Sequence, residues 1–364
     1  MRLSLTLSTY IGRQLLIGIG TAFFALIVLI LLFDSVELTR RAAGNDNATM
    51  GIVVQMAFLH LPYLSQRVVP YAVLVGVMLT LARLTRTSEL VVARAAGVSV
   101  WQFLLPGIAL ALALGVFMVT VFNPLASTLL SRFERLDAKY IRGHTSNLAV
   151  SSSGLWLRQA DDFGESVIHA LRITQPGLTL HDVIVFRYEG RDTFIERIDA
   201  KTATLEDGFW RLGGALLTGP DRLPERRDEY RIKTELTISQ IHDSFASPET
   251  LSFWEIPGFV ELLERAGFSG LKHRVHWHSV LAGPLLLCGM VLIGAAFSLR
   301  MTRQGGTGPL IAIGILAGFL VYVFSDVALA LGLAANIPAV LAGWAPGAVS
   351  SLLGIAMLLH LEDS

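Results

Sequence analysis

Cysteine is almost absent from this chain: its 364 residues hold one, Cys288, inside an apolar run. An intramolecular disulfide is therefore excluded, and any domain outside the membrane must be held by its own core. Net charge is absent too, with 29 Lys and Arg balancing 29 Asp and Glu, so nothing points to nucleic acid as a partner. Charged side chains make up only 16% of the residues. There is no G-x-x-x-x-G-K-[ST] loop, so any ATP must be hydrolysed elsewhere. No Ser/His/Asp order and no metal-ligand spacing stands out, which leaves the catalytic and metal classes without candidates. What is abundant is apolar: 53% of the residues are hydrophobic and the mean hydropathy is +0.58. Six stretches are nearly free of ionisable groups: Gln14–Phe33, Val68–Ala82, Trp101–Val121, Val280–Leu299, Pro309–Phe324 and Ile337–Leu359. A hydrocarbon core about 30 Å thick needs roughly 20 apolar residues as helix, so several of them are long enough to span it.

The expected fold is a membrane-embedded α-helical bundle of six transmembrane helices interrupted by one β domain of about 100–120 residues. The first run is too long for a signal h-region and ends at Asp34-Ser-Val-Glu37 without a small-x-small site, so it reads as the first span. Arginine gathers beside helix ends in three short segments: Arg2 with Arg13, then Arg83, Arg86 and Arg94, then Arg300 with Arg303. The positive-inside rule places all three in the cytoplasm and the polar block outside. Arg40, Arg41, Arg67, Lys272 and Arg274 then fall on the outer side as exceptions.

Within Gly154–Ile241 the apolar pattern turns from helical to near-alternating. Val167–Leu171, Val183–Tyr188, Phe194–Ile198 and Arg231–Leu236 read as strands, punctuated by Pro176-Gly177, Glu189-Gly190, Asp207-Gly208 and Gly219-Pro220-Asp221. Strands at this spacing predict an antiparallel sandwich or open barrel. Ser252–Gly267 follows as an amphipathic helix, with Trp254, Ile256, Phe259, Leu262 and Leu263 toward one side. It either lies at the membrane surface or belongs to the core of the external domain. The resulting division is spans one to three over 1–130, with a polar helix near 84–100. The β domain follows over 131–253, an interfacial segment over 254–274, and spans four to six over 275–364.

Two local sequences narrow the field. Arg83-Leu-Thr-Arg-Thr-Ser-Glu-Leu-Val-Val-Ala-Arg-Ala-Ala-Gly97 lies between the second and third spans, and Gly154-Leu-Trp-Leu-Arg158 follows the third. With the three-span, domain, three-span layout, and with Tyr10-Ile-Gly12, Trp277, Pro284 and Trp344-Ala-Pro346, the chain resembles the LptF/LptG permease family, more closely its LptG branch. That family forms the membrane part of the ATP-driven lipopolysaccharide exporter of Gram-negative bacteria. The resemblance implies a multi-pass protein of the bacterial inner membrane with a periplasmic β-jellyroll. Its partners would be an LptF-like permease, two copies of an LptB-like ATPase, an LptC-like periplasmic protein and lipopolysaccharide. No cofactor would sit in this chain; ATP and magnesium would be bound by the ATPase.

Candidate sites follow. Arg83, Arg86, Ser88, Glu89, Leu90, Arg94 and Gly97 form a short polar helix that is either an ordinary charged connector or, as the resemblance implies, the element that couples to the ATPase, with Glu89 at the contact. Gly97 would end that helix in a left-handed conformation. Arg40 and Arg41 either grip lipid phosphates by bidentate hydrogen bonds or anchor in the headgroups. Asp34, where some relatives carry lysine, would partly neutralise them. Ile168, Val183, Val185 and Ile195 are inward candidates for contact with acyl chains, alternation deciding the face of each. Asp326, an acid inside the fifth run, is a functional candidate or a structural ion pair. His273, His276 and His278 beside Trp277 read as interfacial anchors in preference to metal ligands.

Overall fold

The computed structural model describes residues 5–43, 49–142, 147–151, 154–161, 164–174, 178–189, 193–220, 222–234, 246–265, 267–301 and 307–362. They divide into two compact units: Met1–Ile141 with Glu249–Trp254 and Arg274–Ser364, and Arg142–Pro248 with Glu255–His273.

The first unit is helical. Its elements are α1 (Leu5–Ala42), α2 (Met50–Arg86), α3 (Glu89–Ala95), α4 (Val100–Phe117) and α5 (Asn123–Asp137), then α7 (Leu271–Leu281), α8 (Gly283–Met301), α9 (Thr307–Leu333) and α10 (Ala339–Glu362). Among the described residues, five helical rods are long and apolar enough to cross a membrane, and α7 with α8 makes a sixth if the pair, bent by 48°, is one span. The bend falls at Ala282-Gly283-Pro284, where Pro284 cannot donate to the preceding turn. α4 and α5 run on as one rod over Val100–Ile141. The five residues Met118–Phe122 widen into a π turn just before Pro124, whose missing N–H has no place in a regular ladder. The rods are longer than the apolar runs suggest: α1 has 38 residues, roughly 57 Å at 1.5 Å per residue, against a hydrocarbon core of about 30 Å.

Lipid gives apolar helices no hydrophobic reason to associate, so close backbone contact must hold them. At Gly76 of α2, a Cβ would come within 2.5 Å of the Ile19 Cα on α1. The main core of this unit joins Leu15, Val73, Val77, Leu81, Leu104, Met290 and Val291, all buried, from α1, α2, α4 and α8. A second cluster, with Leu38, Met56, Leu130 and Phe133, packs the far ends of α1, α2 and α5.

The other unit is an antiparallel sheet of seven strands in chain order: β1 (Asn147–Ser151), β2 (Gly154–Asp161), β3 (Gly164–Thr174), β4 (Thr179–Glu189), β5 (Thr193–Glu206), β6 (Phe209–Gly219) and β7 (Arg222–Lys233). In a flat sheet β2 and β7 would lie about 24 Å apart, five steps of about 4.8 Å. Yet the Gln159 side-chain amide of β2 donates to the Lys233 carbonyl of β7 at 3.1 Å. Its oxygen accepts from Thr234 Oγ1 at 2.7 Å and from Trp210 Nε1 of β6 at 3.3 Å. The sheet therefore curls until its two halves face each other around one apolar interior. Leu157, Ile168, Val183, Val185, Ile198, Trp210 and Leu212 fill that interior.

Helix α6 (Ile256–Arg265) also belongs to this unit. It buries Ile256, Val260 and Leu263, and Leu263 with Phe268 joins the β core. Of the two readings left open for Ser252–Gly267, the core helix describes what forms. The apolar stripe is Ile256, Val260 and Leu263 at helical spacing, while Trp254 precedes the helix and is exposed.

Candidate functional site

The segment between α2 and α4 is built to hold a fixed shape. α2 stops at Arg86, and the chain reverses at Ser88, whose φ of 62° is left-handed and strained for a residue with a Cβ. α3 then makes two turns and ends in a Schellman motif. Val98 N–H donates to the Ala93 carbonyl at 3.1 Å and Gly97 N–H to the Arg94 carbonyl at 3.0 Å, with Gly97 at φ 85°. Ser99 opens α4 with a capping box: its hydroxyl accepts from Gln102 N, and its own N–H donates to Gln102 Oε1, both at 3.3 Å.

α3 is also tied to α1. Tyr10 Oη donates to Glu89 Oε2 at 2.7 Å, Thr87 Oγ1 donates to Glu89 Oε1 at 2.8 Å, and Arg83 donates to Gln14 Oε1 at 2.9 Å. The Tyr10 hydroxyl, followed by that of Thr87, holds the Glu89 carboxyl below the ordinary glutamate range. Leu90 turns inward to the main core, whereas Val91 and Val92 are exposed by 56% and 66%. The apolar positions of α3 thus split: Leu90 anchors the helix to its own bundle, and the two valines are offered outward. Arg83, Arg86, Ser88, Glu89, Arg94 and Gly97 are all exposed. Tyr10, Gln14 and Thr87 are members of this cluster outside the candidate site residues singled out from the sequence, and Tyr10 is the most distant partner of Glu89. It stands 79 residues from Glu89, and no local pattern joins them.

At the other end of α1, Arg40 and Arg41 are exposed and already paired. Arg40 donates to both Glu37 oxygens at 2.8 and 2.9 Å, and Arg41 Nε donates to Glu37 Oε1 at 2.9 Å. Glu37, not Asp34, is the acid that neutralises them. Asp34 turns the other way, into the helix packing, where both its oxygens meet His60 Nδ1 at 3.0 and 3.1 Å. The His60 ring stacks on Phe133 of α5 at 4.4 Å. The pair is mostly buried, with 15% and 17% of the side chains exposed, and it fastens α1 to α2.

In the β unit, Ile168, Val183 and Val185 face the interior and are 1% exposed or less. Ile195 does not share that face. Tyr188 pairs with Phe194 and Arg187 with Glu196, so Ile195 is the extra residue of a bulge. Glu196 shares the inner face with Ile198 and Ala200, and Arg187 meets it there at 2.8 Å. Asp326 is exposed on α9 and makes no ion pair among the described residues.

Apolar rods of this length, closing on one core and interrupted in sequence by a separately packed sheet, define a multi-pass integral membrane protein with an inserted β domain. Residues 9–360 match the family model described as lipopolysaccharide export system permease LptF/LptG, and the chain belongs to that family, whose members reside in the inner membrane. Two relatives carry the name lipopolysaccharide export system permease protein LptG. The protein of Escherichia coli strain K12 is 24% identical over 367 residues, covering 97% of this chain and 98% of the relative. That of Haemophilus influenzae strain Rd is 23% identical over 362 residues, covering 98% of each.

Proposed function

We propose that this chain is an LptG-type permease subunit of an ATP-binding-cassette exporter that extracts lipopolysaccharide from the inner membrane and passes it to a periplasmic β-jellyroll bridge. It would work with an LptF-like permease, two LptB-like ATPase subunits and an LptC-like protein, and would carry out no hydrolysis itself. The observation that carries this reading is α3: a two-turn helix, terminated sharply at both ends, anchored by Leu90 and tied to α1 through Tyr10 and Glu89. A displacement applied to such a helix moves the spans instead of being absorbed in a loose loop. Val91 and Val92 then supply the apolar contact for the ATPase, and Arg86 and Arg94 the surrounding charge. The curled sheet faces the periplasm, and acyl chains reach Ile168, Val183 and Val185 only when it parts, because those residues are covered by their own neighbours.

The test is purification of the chain with its partners, followed by ATP turnover with and without lipopolysaccharide. An ATPase should co-purify, and its turnover should rise with the lipid. Glu89→Lys should weaken ATPase docking while membrane insertion persists; a Glu89→Lys complex with full ATPase content and full transport refutes the role given to α3.

A further inference from the structure

We propose that residues 252–254 form a releasable strap: seated on the π turn between α4 and α5 they lock the β unit against rocking, and lifted out they free it. The device goes beyond the transport reading, and its test needs no cargo.

The chain passes between the two units four times, after Ile141, Pro248, Trp254 and His273. Glu249–Trp254 packs with the helical unit, although the chain on both sides of it, Arg142–Pro248 and Glu255–His273, belongs to the β unit. The first and last crossings are made by helix. A body carried on two helix ends can rock about the line that joins them, because helix ends fray at their last turn. A third attachment stops that motion, and the strap is the third.

The seat is made by a proline. In a regular helix the Thr120 carbonyl would accept from the N–H four residues on, but that residue is Pro124 and has none. The turn widens instead, and Asn123 N–H reaches back five residues to the Met118 carbonyl. The Trp254 indole N–H donates to the Thr120 carbonyl at 3.3 Å. One residue earlier, Phe253 N–H donates to Asn123 Oδ1 at 2.8 Å, and Asn123 is only 4% exposed. The Phe253 ring closes the seat, lying parallel to Trp277 of α7 with 5.6 Å between centroids and 9° between planes.

This seat can be left without unpacking the spans. Phe253 and Trp254 are held by single hydrogen bonds and a ring stack, with no ladder to unzip, and Trp254 is 63% exposed. Thr120 lies about 30 Å along the rod from Val100, close to the thickness of the hydrocarbon core. The seat therefore falls where the rod leaves lipid, the level that suits an exposed Trp, and water can take over the freed groups. The spans are joined independently of the strap: a Cβ on Gly115, three residues before the π turn, would come within 2.5 Å of Pro284 Cα. α4 thus stays against α8 when the strap lifts.

The test uses the full chain in nanodiscs, with Cys288→Ala and paired spin labels read by double electron–electron resonance. One pair joins Lys201 of the β unit to Leu352 of α10, and a reference pair joins Leu112 of α4 to Leu352; all three positions are exposed. The parent should give a narrow distance distribution for both pairs. Asn123→Leu removes the acceptor and keeps the volume. It should speed exchange of the Phe253 amide about tenfold and broaden the Lys201–Leu352 distribution about twofold, with the reference pair unchanged. Trp254→Phe deletes one donor from an exposed side chain and should act in the same direction, with exchange about threefold faster. Unchanged Phe253 exchange in both variants overturns the hydrogen-bonded seat. Faster exchange with a Lys201–Leu352 distribution as narrow as the parent's overturns the lock, since the two helix ends would then hold the β unit by themselves. A parent distribution already as broad as the variants', or equal broadening of the reference pair, overturns it as well.

Discussion

Replacing Gln159 by alanine removes three hydrogen bonds that cross the opening of the curled sheet: one to the Lys233 carbonyl, one from Thr234 and one from Trp210. Gln159 and Thr234 are each 6% exposed and Trp210 is fully covered, so water does not readily replace the lost partner. At about 1 kcal/mol net for each bond, with the 3.3 Å bond to Trp210 weaker than the others, the loss is about 2–3 kcal/mol. The strand ladder within each half survives, so the cost falls on the opening of the curl and not on the strands. Hydrogen exchange of the intact chain reads this directly: peptides covering β2 and β7 should exchange roughly 30- to 150-fold faster. Gln159→Leu keeps most of the volume and should show nearly the same acceleration, which separates hydrogen bonding from packing. Unchanged exchange of both strands in both variants would mean that apolar contacts alone keep the sheet curled, and the role given to Gln159 would be wrong.

Two further outcomes follow from the helical unit. The Glu89 carboxyl is depressed by Tyr10 and Thr87, so its tether is fully present above the ordinary glutamate pKa of about 4.3 and is lost only as pH falls through the lower folded value. Any docking that needs this anion should therefore be flat from about pH 8 to 5, and Tyr10→Phe should move the Glu89 titration, followed by carboxyl carbon NMR, back toward the ordinary value. Gly76→Leu would place a side chain where a Cβ is already 2.5 Å from Ile19 Cα. It should cost on the order of 3 kcal/mol and lower the thermal midpoint of the detergent-solubilised chain, whereas Gly20→Leu, with open space around it, should not.

How much of this could be read in advance depended on the range of the interaction. Spans and strands are written in local periods, so the apolar runs and the alternation near Val183 located them. Gly97 was legible for the same reason, since a helix end is a local event. Glu37 was equally legible and was missed: it precedes Arg40 and Arg41 by three and four residues, the spacing at which helical side chains meet. Ile195 is apolar but stands at an odd spacing from the inward Ile198, so alternation already assigns it the other face, and the bulge at this point breaks the ladder as well. Contacts such as Tyr10 with Glu89, Asp34 with His60 and Gln159 with Thr234 join residues 79, 26 and 75 positions apart. No pattern within a single element encodes them. They exist because packing brings two helices, or two ends of a sheet, side by side.

The length of α1 carries a consequence of its own. One unbroken helix has Tyr10, joined to Glu89, near one end and Asp34, joined to His60, toward the other, about 36 Å away at 1.5 Å per residue. A rod of this kind is a lever. A tilt of about 10° pivoting near Tyr10 would carry Asp34 sideways by about 6 Å and Arg40 by about 8 Å, over the roughly 45 Å that separates it from Tyr10. Such a sweep is wider than the reach of any hydrogen bond, so the His60 contact must either break or carry α2 along with it. Motion begun at a two-turn helix would thus arrive at the far side of the molecule amplified, with one mostly buried hydrogen-bonded contact, Asp34 with His60, deciding whether one rod swings or two.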